Sequence, residues 1–298
     1  MCKIKCGVDK LDGIININKP SGITSFDVVR RLRKILKIKK IGHTGTLDPL
    51  ATGVLVVCTG RATRLVQDIE KLEKEYIAEF KLGVATDTYD IEGKVIESVE
   101  NFNVTFEEIE NVLKKFTGNI KQVPPMYSAI KINGQKLYDL ARRGETIERE
   151  ARDINIFSLK LLSFDGVNSK ISCKVSKGTY IRSLIFDIGM ELKTFATMTS
   201  LQRTSVGNEK LEKSFTLEEI EKMHLENNFS FARTVEDYFN FPCLEIEGEK
   251  NKTLFLNGNT LISKENSDGF YKIYYKDSKE FLGLGNIISE RLKGYKYY

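Results

Sequence analysis

The chain has 298 residues, of which 41% are hydrophobic and 29% charged, the composition of an ordinary globular protein with room for more than one domain. Its net charge of +5 is modest and by itself indicates no class of partner. Its five cysteines include no Cys-x-x-Cys spacing and it has only two histidines, so the sequence argues against a disulfide framework, a structural zinc site or a His-based metal centre.

The beginning of the chain carries no targeting signal that we can identify. Residues 1–11 lack the apolar core of a signal peptide, and no apolar run in the sequence is long enough to cross a bilayer. We therefore expect a cytosolic protein. Residues 13–18 then have the apolar content of a strand, and Lys19-Pro20-Ser21-Gly22 follows as a turn.

A basic amphipathic helix is predicted after this turn. Thr24 or Ser25 can cap it, and apolar residues recur behind them at helical spacing. Residues 23–41 hold seven basic residues against one acid, Asp27. Such a run is typical of a solvated helix face, but it also suits a surface that contacts the phosphates of a nucleic acid.

The segment 42–53, Gly-His-Thr-Gly-Thr-Leu-Asp-Pro-Leu-Ala-Thr-Gly, surrounds one carboxylate with small or stiff residues. Its three glycines permit backbone angles closed to other residues, and Pro49 restrains Asp48 just before it. The apolar run 54–58 predicts a buried strand that anchors this loop. From these residues alone, Asp48 either caps its own backbone in a turn or is held in place for chemistry.

A strand is predicted over residues 75–82, where apolar residues on one side alternate with mostly charged residues on the other. Tyr76 lies near the beginning of this strand. A tyrosine in a strand usually packs half-buried. Residues 83–93 are predicted to form a loop that leads into a strand at 94–99. The three acids of this loop do not have the spacing of a calcium-binding loop.

The middle of the chain combines a capped helix with a basic segment. Thr105 opens a capping box for a helix that runs to about Thr117, where Gly118 ends it. A strand over Tyr127–Ile132 and a short helix over Gln135–Arg143 are predicted next. Residues 121–152 hold seven basic and four acidic residues with two tyrosines between them, a composition that suits contact with an RNA backbone and with stacked bases.

In the next part of the chain, strands are predicted at 153–164, 170–176 and 198–206, and helices follow Thr179 and the capping box that Thr216 opens. Tyr180 and Arg182 fall in the first turn of the first of these helices. Arg182 can point into a cleft there, or it can be an ordinary surface arginine. His224 is expected on the surface after the second helix.

The pattern changes near Phe241-Pro242. Short strands are predicted at 270–276 and 280–288 with a small helix at about 249–256, and residues 291–298 are basic and aromatic together. We therefore predict two domains, 1–240 and 241–298.

Four stretches resemble, in chain order over about residues 12–206, the motifs of the TruB family of tRNA pseudouridine synthases. They are Asn18–Ser25, 42–53, Pro124–Lys131 continued to Arg142-Arg143-Gly144, and Lys177–Leu184. The resemblance implies a mixed α/β (α+β) pseudouridine synthase fold, with a central bent, mostly antiparallel sheet flanked by helices. Residues 241–298 resemble, more weakly, the β-rich PUA-like module that binds RNA in many bacterial members.

The resemblance also implies the chemistry. Members break the bond between ribose C1′ and uracil N1, turn the base and rejoin it through C5, without a cofactor or a metal. In this chain Asp48 would be the catalytic carboxylate, Arg182 its ionic partner and Tyr76 the ring that stacks on the target base. Attack on C1′, attack on uracil C6 and proton removal from C2′ remain open as routes for Asp48.

The implied substrate is the T arm of tRNA, modified at uridine 55, with residues 121–152 as an RNA-binding insertion. The implied substrate-binding residues are Lys19, His43, Lys131, Arg142, Arg143, Tyr180 and Leu201. Lys19 would support the catalytic loop or contact RNA. We expect a monomer that needs no protein partner.

Three other hypotheses were weighed against a synthase. A tRNA-binding or RNA-folding protein could keep the scaffold without catalysis, but the catalytic positions are intact here. A nucleotidase could use the glycines of 42–53 as a phosphate cradle, but no Gly-Lys-Ser/Thr follows them. The guide-RNA-dependent relatives of archaea and eukaryotes carry longer basic extensions than this chain does.

Overall fold

The computed structural model describes residues 11–132 and 134–297, except for the side chains of Lys136 and Tyr297. The expectation for the first ten residues therefore lies outside the described part of the chain. Within it, no helix is both long and apolar enough to cross a membrane.

The strands are β1 (Ile14–Lys19), β2 (Ile41–His43), β3 (Thr52–Thr59), β4 (Lys74–Leu82), β5 (Val84–Thr86), β6 (Val95–Ser98), β7 (Gly118–Gln122), β8 (Lys131–Ile132), β9 (Gln135–Lys136), β10 (Arg152–Phe164), β11 (Asn168–Val175), β12 (Ala196–Val206), β13 (Glu209–Lys210), β14 (Ala232–Arg233), β15 (Cys243–Ile246), β16 (Leu261–Ile262), β17 (Gly269–Tyr275), β18 (Glu280–Ile288) and β19 (Arg291–Tyr297). The helices are α1 (Ser25–Leu36), α2 (Val66–Glu70), α3 (Phe106–Lys115), α4 (Leu137–Arg142), α5 (Ile181–Glu191), α6 (Leu217–Leu225), α7 (Val235–Tyr238) and α8 (Glu249–Leu256), with short 3₁₀ turns at Gly60–Leu65 and Leu211–Lys213.

One large sheet forms the first and larger part of the molecule, in the strand order β14-β1-β3-β12-β4-β11-β10-β7, with β2 added to β3 and β13 to β12. Only β3 and β12 pair in parallel; the other neighbours are antiparallel. Strand β3 is buried from Gly53 to Thr59, as expected for a central strand that is covered on both faces. The predicted mixed α/β fold with a mostly antiparallel sheet is confirmed.

Local signals placed most of the helices correctly. Capping boxes at Thr24, Thr105 and Thr216 open α1, α3 and α6, each with a side-chain acceptor for the backbone N–H three residues later. Helix α1 buries the apolar stripe from Val28 to Leu36 and leaves its basic residues outside. Helix α5 begins at Ile181 without a side-chain cap, two residues later than predicted.

The basic segment 121–152 differs from its prediction. The predicted strand over Tyr127–Ile132 is wrong except for its last two residues, because Met126 and Tyr127 pack with Leu137 and Leu140 in a small separate core. The backbone therefore turns, and the N–H of Ser128 donates to the Met126 carbonyl at 2.9 Å. The predicted helix begins at Leu137 because the two residues before it pair with β8.

Two smaller predictions also need correction. The predicted loop 83–93 contains β5, which forms a hairpin with β6. His224 lies inside the last turn of α6 and is half-buried, with its ring edge against Phe229 at 5.6 Å between ring centres. Phe229 follows the helix in the chain, so its contact with His224 cannot be read from the helix itself.

The second sheet, β15-β17-β18-β19-β16, forms a β-rich C-terminal module around its own small core. Leu284 of this module belongs to the same apolar cluster as Val54, Val56 and Cys58 of β3, and Phe281 packs against that cluster. In addition, the Tyr295 hydroxyl of β19 donates to Asp68 in α2. The module therefore shares an apolar cluster with β3, the strand that follows the loop 42–53; the boundary at residues 240 and 241 stays a prediction.

Candidate active site

The loop between β2 and β3 is fixed to its surroundings through its backbone. The hydroxyl of Ser25, at the start of α1, accepts from the Leu47 N–H at 2.8 Å and donates to the Leu47 carbonyl at 3.1 Å. The Gly22 N–H donates to the Pro49 carbonyl at 2.9 Å. These contacts hold the backbone on both sides of Asp48, and they leave its carboxylate free to point away from its own turn.

The Asp48 carboxylate is bound by Arg182, the second residue of α5. The distances are 2.9 Å from Nε to Oδ2 and 3.1 Å from Nη2 to Oδ1, so the guanidinium fork is bidentate. The side chain of Arg182 is 5% exposed and that of Asp48 is 32% exposed. Arg182 is thus not a surface arginine, and the carboxylate keeps one side open.

Further acceptors lock the guanidinium in this position. Nη1 donates to the Thr88 carbonyl at 3.0 Å and Nη2 to the Tyr127 carbonyl at 2.8 Å. Thr88 belongs to the loop after β5, and Tyr127 belongs to the basic insertion. Arg182 therefore joins three chain segments at the carboxylate.

Asp90 is a second carboxylate on the same arginine, and the sequence analysis did not propose it. Its Oδ2 lies 3.5 Å from Arg182 Nη1, while its Oδ1 accepts from the Thr88 hydroxyl at 2.7 Å and the Glu92 N–H at 3.1 Å. It is 4% exposed, and this burial raises its pKa although Arg182 acts in the opposite direction. The sequence signal that could have indicated Asp90 is the group of three acids in the predicted loop 83–93.

Lys19 supports the loop 42–53 through hydrogen bonds to backbone carbonyls. Its ammonium is fully buried and donates to the carbonyls of Pro20 at 2.8 Å, Pro49 at 3.2 Å and Ala51 at 2.7 Å. Burial lowers its pKa to about 8, and the charge of Asp48 opposes this shift. Of its two expected roles, loop support fits the geometry, because no part of the side chain is exposed to RNA.

Tyr76, Leu201 and Tyr180 are the further residues that the resemblance implies for the pocket. Tyr76 on β4 is 8% exposed, Leu201 on β12 is 6% exposed, and both belong to the apolar core that includes Leu47 of the loop. Tyr180 precedes α5 and is fixed by two hydrogen bonds between its backbone and the Gln122 amide, at 2.8 and 3.0 Å. Burial raises the pKa of Tyr180, and the charge of Asp48 adds to this effect.

His43 ends β2, immediately before the loop. It is half-buried, and its Nδ1 accepts a long hydrogen bond of 3.4 Å from the Gly45 N–H. Burial lowers its pKa first, the Arg203 charge lowers it further, and Glu70 has the opposite effect. These conditions favour the neutral imidazole.

The three basic residues predicted in the insertion stay on its outer surface. Lys131 and Arg142 are exposed, and the Arg142 guanidinium lies over the Tyr138 ring at 5.6 Å. Arg143 pairs with Glu145, with 2.7 Å between Nε and Oε1. Among the described residues, none of the three contacts Asp48 or Arg182, and the insertion reaches Arg182 through the Tyr127 carbonyl.

A cleft lined by cations opens beside the catalytic loop; we call it the basic cleft. It encloses about 690 Å³ and is lined by Arg33, Lys39, Lys40, Ile41, Gly42, Thr63, Arg64, Val66, Gln67 and Lys296. Five of these residues are basic and none is acidic. The sequence run at 23–41 indicated three of the five, but not Arg64 or Lys296, which the fold brings in from a 3₁₀ turn and from β19.

Among residues 11–132 and 134–297 no group of three or more His, Cys, Asp or Glu side chains is arranged to hold a metal ion.

Comparison with known proteins gives consistent matches. Residues 33–181 match the family profile described as TruB family pseudouridylate synthase (N-terminal domain), and residues 182–236 match that of the tRNA pseudouridylate synthase B C-terminal domain. The chain is 58% identical to tRNA pseudouridine synthase B of Fusobacterium nucleatum subsp. nucleatum over 291 residues, which covers 97% of this chain and 100% of that protein. It is 46% identical to the protein of the same name from Clostridium novyi, over 95% of this chain and 98% of the relative.

Solved structures agree with these matches. A structure of an H/ACA RNP bound to a substrate RNA containing 2′-deoxyuridine has a TM-score of 0.70 at 25% identity, with 96% of this chain and 84% of the other covered. A crystal structure of a Cbf5-Nop10-Gar1 complex has a TM-score of 0.69 at 27% identity, covering 96% and 83%.

Proposed function

We propose that this chain, which belongs to the TruB family of pseudouridylate synthases, converts uridine 55 in the T loop of tRNA to pseudouridine. Membership makes the chain an isomerase, a pseudouridine synthase. The relatives' names supply tRNA as the substrate. The choice of uridine 55 and the roles of individual residues are our proposal.

The observation that carries this proposal is the bidentate pair of Asp48 and Arg182. Attack on C1′, attack on C6 and proton removal from C2′ all require a carboxylate that is charged and within reach of the nucleotide. Arg182 supplies the counter-charge at 2.9 Å, and the 32% exposure of Asp48 supplies the access. We assign Asp48 as the catalytic carboxylate and Arg182 as the residue that holds it.

The target base must leave its stack to reach Asp48. Extrusion costs a few kcal/mol, and stacking on an aromatic ring returns about 1–3 kcal/mol. Tyr76 is the proposed stacking ring, because it is shielded from water and shares a core with the catalytic loop. Tyr180 and Leu201 would line the pocket, and His43 would contact the nucleotides that the extruded base leaves behind.

RNA binding is proposed for three surfaces around this pocket. They are the basic cleft, the exposed basic face of α1, and the insertion with Lys131, Arg142 and Arg143. Cations on these surfaces would neutralise phosphates and release counterions. The basic cleft begins at Gly42, next to His43, so a stem that continues from the bound loop can enter it.

We further propose a cytoplasmic monomer that acts without a protein partner. The Cbf5 structures contain partner proteins, Nop10 and Gar1, whereas the bacterial relatives are named as tRNA enzymes. Light scattering on the purified protein, alone and with tRNA, tests this. A mass corresponding to one chain supports the proposal, and a stable dimer contradicts it.

The activity test uses unmodified tRNA with two proteins, the wild type and Asp48→Asn. Pseudouridine is mapped by a chemical probe after incubation without an added cofactor. Modification at uridine 55 by the wild type alone supports both the site and the role of Asp48. Modification by both proteins removes Asp48 from its role, and tight binding without modification by either favours a non-catalytic RNA-binding protein.

A further inference from the structure

Arg203 is a buried cation that contacts the backbone of the loop 42–53, which we call the catalytic loop. It lies on β12, in register with Gly53 of β3 on one side and with Tyr76 of β4 on the other. It is only 2% exposed. Its strand thus runs between the end of the catalytic loop and the strand of the proposed stacking ring.

The guanidinium of Arg203 binds both ends of the catalytic loop. Nε donates to the Val54 carbonyl at 2.6 Å, and Nη2 donates to the Gly45 carbonyl at 3.1 Å. Gly45 and Val54 lie on opposite sides of Asp48 in the sequence. Lys19 holds Pro49 and Ala51, so the two cations contact different parts of the same loop.

Arg203 lacks the counter-charge that a buried arginine normally has. In the described part of the chain no carboxylate oxygen lies within 4.0 Å of its nitrogens, although a buried charge is costly unless it is paired. Its titratable neighbours are two lysines and a histidine: Lys19, Lys74 and His43 all have a lowered pKa, for which burial is the main cause and the Arg203 charge a further one.

We propose that Arg203 is a positioning residue of the catalytic loop: its guanidinium holds the carbonyls of Gly45 and Val54 and so fixes the segment that presents Asp48 to Arg182. The proposal rests on the proposed synthase function. It extends that function because Arg203 contacts neither Asp48 nor the pocket opening, and acts only through the backbone of the loop.

The charge of Arg203 has a separate effect on His43. The Nδ1 of His43 accepts from the Gly45 N–H, which requires an unprotonated nitrogen. The guanidinium of Arg203 binds the carbonyl of this same Gly45. Besides burial, the charged groups that act on His43 are Arg203 from β12, which disfavours the imidazolium, and Glu70 from α2, which favours it. Arg203 therefore adds to burial in favouring the neutral imidazole, the form that can accept from Gly45.

Two variants separate the geometric role from the charge. Arg203→Lys keeps the charge but replaces the planar guanidinium, whose Nε and Nη2 bind different carbonyls, with a single ammonium group, and Arg203→Gln removes the charge. For Arg203→Lys we expect kcat on tRNA to fall on the order of 10²-fold, the loss that a misplacement of about 1 Å can cause, with KM unchanged. A fall in the folded fraction alone would leave kcat per folded molecule unchanged, and that result would overturn the proposal.

The second readout needs no activity. The chain has only two histidines, so NMR of labelled histidine resolves both His43 and His224. His224 packs against Phe229 far from the loop in sequence, and its signal reports whether each variant is folded. We expect the titration midpoint of His43 to rise in Arg203→Gln and to stay at the wild-type value in Arg203→Lys.

The outcomes remain distinguishable from a failure of the proposed function. If wild-type protein does not modify tRNA, the function fails, whereas the His43 titration still tests the contact beneath the loop. If wild type is active and folded Arg203→Lys has the same kcat, the positioning role is overturned. If Arg203→Gln does not fold, Arg203→Lys alone decides the geometric role, and Arg203→Met with the same NMR readout decides the charge.

Discussion

Arg182 and Asp48 are 134 residues apart in sequence and form a two-pronged ion pair, with one arm at 2.9 Å and the other at 3.1 Å. The guanidinium is almost completely buried and the carboxylate is partly open. A bidentate pair fixes orientation as well as charge. The contact between Arg182 and Asp48 is therefore shorter and better oriented than the contact between Arg182 and Asp90, at 3.5 Å.

Replacing the two-pronged guanidinium of Arg182 with a single donor group should therefore lower activity strongly. Arg182→Lys keeps the charge but loses one arm to Asp48 and the hydrogen bonds to Thr88 and Tyr127. We expect kcat to fall by about 10²-fold, since a hydrogen bond to a charged group contributes roughly 1.5–3 kcal/mol. Asp90→Asn is the comparison: it keeps an oxygen for Thr88 and Glu92, and should lower kcat by only about tenfold. Single-turnover rates on tRNA measure both; equal losses would contradict this ranking.

The basic cleft should control the salt dependence of tRNA binding. In Lys39→Gln/Lys40→Gln, two exposed cations of the cleft are lost. We expect weaker binding and a slope of log K against log salt that is about 2 units shallower, because each phosphate contact contributes about 0.9. Lys160→Gln/Lys222→Gln is the matched control, since both lysines are exposed and neither lines the cleft. Equal slopes for the two variants would argue against RNA in the cleft.

Deprotonation of Lys19 should lower kcat at alkaline pH. Its three carbonyl acceptors need three N–H donors, and a neutral amine has only two. With its pKa lowered to about 8 by burial, kcat should decline above about pH 8. Unfolding cannot explain the decline: the unfolded lysine titrates near about 10.4, so between these values the unfolded state binds more protons and stability rises with pH.

A control for this decline is Lys74, whose pKa burial also lowers to about 8. Its ammonium donates to the carbonyls of Glu70 and Leu72, outside the catalytic loop. The pH–rate profile of Lys74→Met should keep the alkaline decline. If the decline disappears in that variant, it belongs to Lys74 and our assignment to Lys19 is wrong.

Gly53 should be indispensable for packing at the end of the loop. Its φ is +97°, and an added Cβ would lie 2.2 Å from the Arg203 carbonyl oxygen. We expect Gly53→Ala to lower the free energy of unfolding by about 2–4 kcal/mol, which combines backbone strain with a clash. Gly22→Ala is the control, because Gly22 has φ +83° and an added Cβ there would meet no atom within 4 Å, so only strain of about 1–2 kcal/mol applies. Urea midpoints compare them, and equal losses would count against the clash.

The amino-acid sequence determined the parts of this protein that depend on neighbouring residues. The capping boxes at Thr24, Thr105 and Thr216 were predictable because both partners lie within four residues. The buried strand after the loop followed from an uninterrupted apolar run. The candidate residues Asp48, Tyr76, Tyr180 and Arg182 came from motif resemblance, since their spacing alone left each with an ordinary structural interpretation.

Only the tertiary structure decided which residues distant in sequence come into contact and which charged groups are buried away from solvent. Asp90 reaches Arg182 because the β5–β6 hairpin returns to the start of α5, and Arg203 lies under the loop because β12 enters the sheet between β3 and β4. Lys296 joins the basic cleft because the C-terminal module packs on β3. Strand order and sheet packing are set by burial over the whole chain, and a local pattern of residues does not contain that information.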